Sequence, residues 1–471
     1  MLVNMLGVFI VLERRPLGPE LLMAFRKKLS FKRSIIVTIS LKFFRSDARQ
    51  IITSGLLLLA SGAVAGSEFE LDLEALREMA PPTGSVIGLD NIEQYEQLID
   101  PEFADLVRKG WVTVKTGETI SFKPHMNYVN ATRTNAGKTS LGSEPGVLKD
   151  YIAGRPFSGE LSMEDPQAGT KLMWNMRYGY AGDGGKIPEM YWQYRDMRSQ
   201  TMERELEFEA EAMRFMHRHV VEPTPSLKDN PYKVYNAITL TALEPGDVAN
   251  TKLLLFYNSD DLAEEQGWMY VPLLRRVRRV ATTMRTDSFL GSDIMIEDFL
   301  GYTGRVKDMD WTYGGDRYIL LPMYRHDKVP HANRKARSYK YKFVDFHGHS
   351  GCFPNITWQL RKVHVLEGVP KREDHPLSKR FFYIDSQTMF PVFGKVYDRA
   401  GVLWKFLLGG IAHPDYHLEQ NSGSGVPMLD SAAVIDIQNM HCTTLQMVTL
   451  ANLKKMKKRD FEPSALNVGA R

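Results

Sequence analysis

The segment Gly267-Trp-Met-Tyr-Val-Pro-Leu-Leu-Arg-Arg-Val-Arg-Arg-Val280 joins a strand-like apolar run to four arginines within five residues. Aromatic and branched side chains at Trp268, Tyr270 and Val271 favour a β-strand. Carboxylates follow shortly afterwards in the chain, at Asp287, Asp293, Glu297 and Asp298. We favour the interpretation that the arginines form ion pairs with these carboxylates, and the alternative is a site for phosphates or lipid headgroups.

Strand geometry limits what these arginines can bind together. If the strand continues, Arg276 and Arg278 lie on one face while Arg275 and Arg279 lie on the other, because successive side chains alternate. The four guanidinium groups therefore cannot all contact one small ligand. The cluster is expected to mark a charged crossing between a strand and a short helix at Ser292–Gly301.

Strand signals surround this segment on both sides. Upstream, Glu205–Ala212 alternates charged and apolar residues, as a half-buried strand does, although its Glu, Ala and Met content also suits a helix. We expect a strand, because Val234–Leu243 and Thr251–Tyr257 continue the pattern across short turns. Downstream, Arg380–Asp385 and Gly394–Asp398 form the clearest hairpin. The sequence thus predicts an antiparallel meander.

Helical signals are confined to short pieces. Leu71–Met79 and Asn91–Ile99 suit surface helices, each ending before a proline. The third predicted helix, Ser292–Gly301, would direct three side chains inward, namely Ile294, Phe299 and Leu300. The long stretch Lys109–Gly184 is rich in turn residues, and we expect it to pack over the main body as an irregular arm.

The composition excludes some functions. The chain has 471 residues, is 43% hydrophobic and carries a net charge of +4. This hydrophobic content supplies a sizeable core, whereas the near balance of charges gives no reason to expect nucleic-acid binding. We therefore expect no nucleic acid among the partners.

An export signal is predicted near the N-terminus. A short apolar run at Ile51–Ala65 follows several basic residues and ends in Ala63-Val-Ala65, as in a Sec-type signal peptide cleaved near Ala65. The run is too short for a permanent membrane span. We expect a periplasmic protein, soluble after cleavage, with an uncleaved anchor as the alternative. Met5 and Met23 are alternative start sites.

Two cysteines, Cys352 and Cys442, either form a disulfide in an oxidising compartment or stay as buried thiols. The best metal candidate is Asp345-Phe-His-Gly-His349 together with Cys352, since alternate residues of an extended segment share a face. A merely polar loop is the commoner interpretation of such a segment. No second ligand cluster accompanies it, so we expect no metal and no cofactor.

Aromatic and apolar residues recur along the predicted strands. An apolar sheet face either packs against the protein's own segments or binds a hydrophobic molecule. If it binds a ligand, the expected lining residues are Leu206, Phe208, Trp268, Tyr270, Trp311, Trp358, Tyr383 and Trp404. The chain has no nucleophile-elbow or phosphate-loop motif, so a hydrolase or metalloenzyme is the least favoured hypothesis.

Several further motifs occur in a fixed order. They are Trp268-x-Tyr-x-Pro272, Arg275-Arg-Val-Arg-Arg279, Glu297-Asp-Phe-Leu-Gly301, Trp358-x-x-Arg361, His375-Pro-Leu-Ser-Lys-Arg380, Tyr383-Ile-Asp385 and Tyr397-Asp-Arg399. Together they resemble the bacterial family called domain of unknown function 1329. The resemblance runs from about Ile99 to Ala451 and is specific, because the motifs keep the order of the family.

What the resemblance implies is a relationship to the Lol-type (LolA/LolB-like) carriers that sort outer-membrane lipoproteins. Such a protein would have a curved antiparallel sheet, an open half-barrel closed by short helices, and an apolar interior that holds acyl chains. The resemblance also implies a partner among exporters or outer-membrane proteins. It supplies no catalytic residues.

The sequence therefore predicts a mainly β protein in four parts. These are an N-terminal extension with the signal peptide (1–65), a helical and turn-rich arm (66–198), a Lol-like half-barrel (199–451) and a basic tail (452–471). The expected function is non-enzymatic binding of a lipid or other hydrophobic molecule in outer-membrane biogenesis or export. The alternative is a structural or adaptor subunit of an envelope export assembly of the resistance-nodulation-division type.

Overall fold

The computed structural model describes residues 68–144, 146–280, 285–334 and 341–467. The predicted export segment and its cleavage site near Ala65 lie outside these ranges. Four α-helices occur in them: α1 (Leu73–Met79), α2 (Pro101–Arg108), α3 (Met126–Asn135) and α4 (Ala168–Arg177). None of these described helices is long and apolar enough to cross a membrane.

Strands make up most of the regular structure. In chain order they are β1 (Val86–Ile87), β2 (Val114–Thr116), β3 (Ser140–Leu141), β4 (Leu148–Lys149), β5 (Gly184–Asp196), β6 (Thr201–Arg214), β7 (Val234–Glu244), β8 (Lys252–Asn258), β9 (Gln266–Val271), β10 (Arg276–Val280), β11 (Met309–Leu321), β12 (Met323–Tyr324), β13 (Phe346–His347), β14 (Phe353–Pro354), β15 (Thr357–Pro370), β16 (Leu377–Asp385), β17 (Pro391–Asp398), β18 (Leu403–Ala412), β19 (Met428–Asp436), β20 (His441–Met447) and β21 (Leu450–Ala451). Seventeen of them join in one curved, unclosed sheet. The predicted mainly β fold is confirmed.

The long strands pair antiparallel in two consecutive meanders. Strands β5 to β10 run outward from the centre of the sheet, each pairing with the next. Strand β11 lies at the opposite edge, and β15 to β20 lead back until β20 pairs with β5. The chain must therefore pass from one edge of the sheet to the other between β10 and β11. Residues 285–308, which we call the crossing segment, belong to this passage.

Both faces of the sheet are covered by the chain itself. Side chains of Trp192, Phe208, Val434 and Leu445 form the front face, which packs against the crossing segment. Neighbouring positions point to the back face, which packs against α2, among them Tyr383, Phe393, Phe406 and Ile435. The alternation along β19, Val434 in front and Ile435 behind, is the period of two expected for a strand.

The N-terminal part differs from the prediction at one helix. Asn91–Ile99 forms only two 3-10 turns, and the α-helix begins at the proline that was expected to end it. Pro101 occupies the first helical position, where its missing N–H is not needed, and the Asp100 side chain accepts a hydrogen bond from the Phe103 N–H at 3.1 Å. The resulting helix α2 is buried rather than on the surface.

The stretch Ser199–Val220 contains strand β6, so the predicted strand is confirmed over the helix. Its partner β5 precedes it in a hairpin that aligns Trp192 with Leu206. The boundary expected between residues 198 and 199 falls inside this hairpin. Strand β5 is therefore part of the sheet, although its sequence lies in the stretch assigned to the arm.

The predicted helix at Ser292–Gly301 is wrong. Only a 3-10 turn at Ile296–Asp298 occurs there, and Leu300 is exposed instead of facing inward, whereas Ile294 is buried. Buried carboxylates at Glu297 and Asp298 are bound by side chains of the sheet, so contacts with the sheet rather than helical hydrogen bonds set the backbone path.

Two further contacts hold distant segments on the sheet. Cys352 and Cys442 form a disulfide, which ties the segment before β14 to β20 and confirms the pairing over the free-thiol alternative. Near the C-terminus, Phe461 and Leu466 are buried against β8 and β9 on the back face. This part of the basic tail is therefore packed against the sheet.

Candidate functional site

The crossing segment covers the front face with aromatic side chains. Phe289 packs edge-on against Trp192 of β5 at 5.6 Å between ring centroids and lies 6.4 Å from Phe208 of β6. Phe299 reaches the same tryptophan at 6.2 Å. The segment contains no α-helix, so tertiary contacts of this kind keep it on the sheet.

A buried charged group joins the crossing segment to β16. Arg380, which is fully buried, donates one hydrogen bond to Asp298 at 2.9 Å and another to Glu297. Burial opposes ionisation of Glu297, but Arg380 and His375 outweigh it and lower its pKa. Burial raises the pKa of Asp298 in spite of the same arginine. The Arg380 guanidinium thus faces two carboxyl groups, one with a lowered pKa (Glu297) and one with a raised pKa (Asp298).

A second polar contact lies nearer the centre of the sheet. The Asp293 N–H donates to the Thr443 hydroxyl at 2.9 Å, and that hydroxyl donates to the Asp293 carboxylate at 2.7 Å. Lys405 donates to the Asp293 carbonyl at 2.8 Å. His441 lies 2.7 Å from the same carboxylate, and this contact raises the histidine pKa. Both sets of polar contacts therefore help to hold the crossing segment on the sheet.

The predicted ion pairs of the arginine cluster are wrong. Arg275, Arg276, Arg278 and Arg279 are exposed, and within the ranges that the structure describes no ion pair links them to a carboxylate. Three of the expected partners, Asp293, Glu297 and Asp298, bind side chains of the sheet instead, and Asp287 is exposed. The alternation of side chains along the strand identified the two faces of β10. It could not show that the carboxylates of the crossing segment contact other strands instead.

A small apolar cavity lies beside the crossing segment, with a volume of about 40 Å³. Its walls come from β8, the turn before β9, β9, the end of β10 and the crossing segment: Leu253, Leu255, Phe256, Tyr257, Glu265, Gln266, Gly267, Met269, Val280, Arg285, Ile296, Glu297 and Thr303. Pockets that hold small molecules measure roughly 300–1,000 Å³. A ligand of that size therefore fits on the front face only if the crossing segment moves.

An ion pair of unusual character forms one wall of this cavity. Glu265 lies 2.8 Å from Arg285. Burial nevertheless raises the pKa of Glu265 to about 7. The loss of hydration destabilises the charged carboxylate more than the attraction to Arg285 stabilises it. The carboxyl thus changes charge close to neutral pH.

Glu265 is expected to make the protein more stable as the pH is lowered. Its pKa in the folded protein lies above the ordinary value of 4.5, so the folded state binds more protons between about pH 4.5 and 7. This contribution is complete below pH 4.5 and disappears as the pH rises through 7, with a slope of at most about 1.4 kcal/mol per pH unit. Urea unfolding should give the wild type a higher free energy of unfolding at pH 5 than at pH 8. This contribution should be lost in Glu265→Gln. Parallel stability curves for the two proteins would contradict the assignment.

The eight residues predicted to line one ligand site lie on different parts of the sheet. Leu206, Phe208 and Trp311 are on the front face, Trp404 is half-buried beside Met295 of the crossing segment, and Trp268, Tyr270, Trp358 and Tyr383 are on the back face. Of these, Leu206 and Phe208 belong to the apolar cluster that contains Phe289 of the crossing segment. Their role in ligand binding stays a prediction.

A larger cavity of about 180 Å³ lies near the C-terminal segment and is lined by both polar and apolar side chains. Asp183 accepts hydrogen bonds there from the backbone N–H groups of His219, Val220 and Val221. These bonds lower its pKa despite burial. Arg218 donates to the carbonyls of Val221 and Pro223. Asp183 and Arg218 are thus committed to holding a loop.

The metal candidate around Asp345–His349 is not assembled. His349 stacks on Trp111 at 4.9 Å between ring centroids and donates from Nε2 to the Met197 carbonyl at 2.9 Å. Cys352, the proposed ligand outside this run, is bonded in the disulfide. A different group, which the sequence did not suggest because its members are far apart, is brought together instead: His326, His417 and Asp430.

Hydrogen bonds hold two members of this second group, whereas the buried His417 Nε2 lies 3.8 Å from Asp430, beyond hydrogen-bond distance. His326 Nδ1 donates to Asp430 at 2.6 Å. Asn421 is fixed by two backbone partners, so its NH₂ group faces His417 Nδ1 at 2.8 Å. Burial lowers the pKa of His417 to about 4, and the neutral ring must carry its proton on Nε2, the atom directed towards Asp430. A protonated nitrogen has no lone pair for a cation, so a metal would first require Asn421 to turn.

Arg380 is the functional candidate that sequence reasoning missed. It lies in the motif His375–Arg380, but its partner Glu297 is 83 residues away and neither periodicity nor spacing links them. The one available signal was the pair of adjacent carboxylates at Glu297 and Asp298 in a largely apolar stretch, which needs a cation if it is buried.

Comparison with known proteins gives a family and a set of distant structures. The family model described as "Protein of unknown function (DUF1329)" matches residues 86–467. An uncharacterized protein of Pseudomonas aeruginosa is 24% identical over 368 residues, which cover 74% of this chain and 72% of that protein.

The similar solved structures have low sequence identity. A putative outer membrane lipoprotein-sorting protein domain from Vibrio parahaemolyticus is 16% identical with a TM-score of 0.43, over 64% of this chain and 100% of that one. A DUF1329 family protein from Desulfovibrio piger is 17% identical with a TM-score of 0.43, over 64% and 98%. A LolA superfamily protein from Nitrosomonas europaea is 8% identical with a TM-score of 0.35, over 64% and 98%.

Proposed function

This chain belongs to the DUF1329 family, and we propose that it is a periplasmic, non-enzymatic protein that carries or shields a lipid or another hydrophobic molecule. The observation that carries the proposal is the front face, an apolar surface covered by a segment that contains short 3-10 turns but no α-helix. We further propose that the ligand replaces the crossing segment on this face. Apolar side chains that leave the segment would then be covered by the ligand rather than by water.

The polar contacts of the crossing segment suit such an exchange. Arg380 and the Asp293 contacts hold the middle of the segment, and much of the cover around them consists of apolar side chains such as Phe289 and Ile294. Where an aromatic ring leaves the sheet, the apolar surface of the ligand takes its place. The Asp293 and Arg380 contacts can persist while the part near β8 and β9, where the cavity lies, moves away, provided that the ion pair between Glu265 and Arg285 separates.

The disulfide supports the proposed compartment. Disulfides persist in oxidising environments such as the periplasm and are rare in the bacterial cytosol. The predicted signal peptide would deliver the chain to the same place. Recovery of the mature protein from the periplasmic fraction, with an N-terminus near Gly66, would test this part of the proposal.

Replacing Phe289 by alanine is expected to increase binding of the apolar fluorescent probe N-phenyl-1-naphthylamine. The change removes the ring that packs on Trp192 and Phe208, so the covered state of the front face loses stability relative to the open one. A shift of about 1.4 kcal/mol in that equilibrium would strengthen the apparent affinity about tenfold. Fluorescence titration measures the effect.

The matched control is Phe461→Ala. Phe461 is similarly buried, but it packs on the back face against Phe215. Its loss should leave probe binding on the front face unchanged. Equal probe binding by both variants would contradict the carrier proposal. So would a complete lack of probe binding by wild type and Phe289→Ala, if mass spectrometry also shows that the protein carries no lipid.

One observation favours the second candidate, a structural or adaptor subunit of an envelope export assembly. Both faces of the sheet are filled by the chain itself, by α2 behind and the crossing segment in front. An adaptor needs no interior ligand, and its active surface would be the outside of the molecule. Cross-linking in cells that yields one stable protein partner, from protein that takes up no probe, would support this candidate.

A further inference from the structure

The hairpin of β9 and β10 ends in an apolar tip that is surrounded by solvent. Pro272–Leu274 form a 3-10 turn, and Arg275 completes it in the left-handed conformation at φ 46°. Leu273 is 92% exposed and Leu274 is 44% exposed. No large hydrophobic side chain in the described ranges is more exposed than Leu273. The tip therefore contributes nothing to the core.

Four arginines follow this tip directly. Arg275, Arg276, Arg278 and Arg279 are exposed, and the described chain offers them no carboxylate at ion-pair distance. Most charged side chains of the core are committed to partners, as Arg380 is. This cluster instead concentrates uncompensated positive charge around two exposed leucines.

The arginines occupy both faces of the hairpin. Arg278 stands opposite Met269, a front-face residue, and Arg279 stands opposite Trp268, a back-face residue. A small ligand on one face would meet only part of the cluster. A surface that surrounds the whole hairpin would meet all of it.

Protection of the sheet edge explains only part of this pattern. Strand β10 pairs with β9 alone in the described sheet, and charged side chains on an edge strand discourage pairing with another molecule. That role accounts for arginines on β10. It does not account for Leu273 and Leu274, because exposed leucines at the end of the edge would promote association.

We propose that the tip of this hairpin binds the surface of an anionic phospholipid bilayer. Leu273 and Leu274 would enter the boundary between headgroups and acyl chains, while the arginines on both faces bind phosphates. Guanidinium pairs bidentately with phosphate oxygens, and basic residues near an anionic surface add to the attraction. When the tip inserts, the arginines on both faces of the hairpin can bind lipid phosphates at the same time.

The dimensions agree with this orientation. A strand rises about 3.3 Å per residue, so Arg276 to Arg279 span roughly 10 Å behind the tip. The polar layer on each side of the hydrocarbon core is about 5–8 Å thick. The first arginines thus reach the headgroup phosphates when the leucines reach the hydrocarbon boundary, and the later ones stay in the diffuse field above it.

Vesicle co-sedimentation tests the proposal directly. The full mature chain is mixed with phosphatidylcholine vesicles that contain phosphatidylglycerol, and with vesicles of phosphatidylcholine alone. We expect binding to the anionic vesicles that falls as salt is added, and little binding to the neutral ones. Arg276→Glu with Arg278→Glu should weaken anionic binding by at least about tenfold. Leu273→Asp should weaken it about tenfold by removing the inserted side chain.

Matched variants control for surface charge and exposed leucine in general. Arg198→Glu with Arg399→Glu changes two exposed arginines elsewhere, and Leu89→Asp changes another exposed leucine. Both controls should bind anionic vesicles like the wild type. Because all these positions are exposed, circular dichroism should show the same fold in every variant.

Three results would overturn the proposal. They are equal binding to neutral and anionic vesicles, test variants that bind like their controls, and retention by a single protein partner with no vesicle binding. Membrane binding by the hairpin does not depend on the carrier function. A protein that binds vesicles but never takes up probe would leave the hairpin assignment intact and refute the carrier proposal.

Discussion

Replacement of Arg380 by methionine is expected to lower the free energy of unfolding by about 3–5 kcal/mol. The guanidinium is fully buried on β16 and is the cation that faces both Glu297 and Asp298. Without it, at least one carboxylate would remain buried and uncompensated, which costs far more than the ion pair itself contributes. Denaturant unfolding monitored by tryptophan fluorescence would measure the change.

The triple variant Glu297→Gln, Asp298→Asn and Arg380→Met separates charge burial from the shape of the site. It removes all three ionisable groups, so most of the stability lost in Arg380→Met should return. If the triple variant is as unstable as the single one, hydrogen bonding and packing rather than the uncompensated charge would explain the loss.

Replacement of Phe103 by alanine is expected to have an effect of similar size on the other face, about 3–5 kcal/mol. Phe103 lies on α2, is fully buried and meets four aromatic rings, those of Phe353, Trp358, Phe393 and Phe406, at 5.2 to 6.1 Å between centroids. The deletion leaves a cavity that rigid strands on two sides cannot fill. Thermal and denaturant unfolding would both report it.

Phe103→Leu is the matched control for this site. It keeps much of the apolar volume and gives up mainly the ring geometry, so it should cost clearly less than alanine. An equal cost for both variants would mean that the aromatic geometry, not the filled volume, stabilises α2. The same pair tests function, since a cavity opened behind the sheet should not raise probe binding if the ligand belongs in front.

Local patterns predicted the strands well and the segments between them poorly. The alternation in Glu205–Ala212 and the hairpin of Arg380–Asp385 with Gly394–Asp398 depend on neighbouring residues, and both are confirmed. Helix α2 was missed because Pro101 was interpreted as an end, although a proline also suits the first position of a helix. The disulfide was predicted as one of two outcomes because only two cysteines were available.

The candidate site depended on contacts that no local pattern contains. The crossing segment meets β5, β16, β18 and β20, which lie before and after it in the chain. Its carboxylates were therefore assigned to the arginines nearest in sequence, and the structure assigns them elsewhere. Conversely, the family resemblance located Arg380 within a motif but gave no reason for its presence.

The pairing of β20 with β5 determines when the molecule can finish folding. Arg195 of β5 donates to Thr444 of β20, a residue 249 positions later in the chain. Each meander can form from neighbours in sequence, but the centre of the sheet closes only after β20 has been synthesised. Contacts of such high sequence separation slow folding. Until then β5 and β20 each lack one pairing partner, so the incomplete sheet has exposed strand edges that favour aggregation.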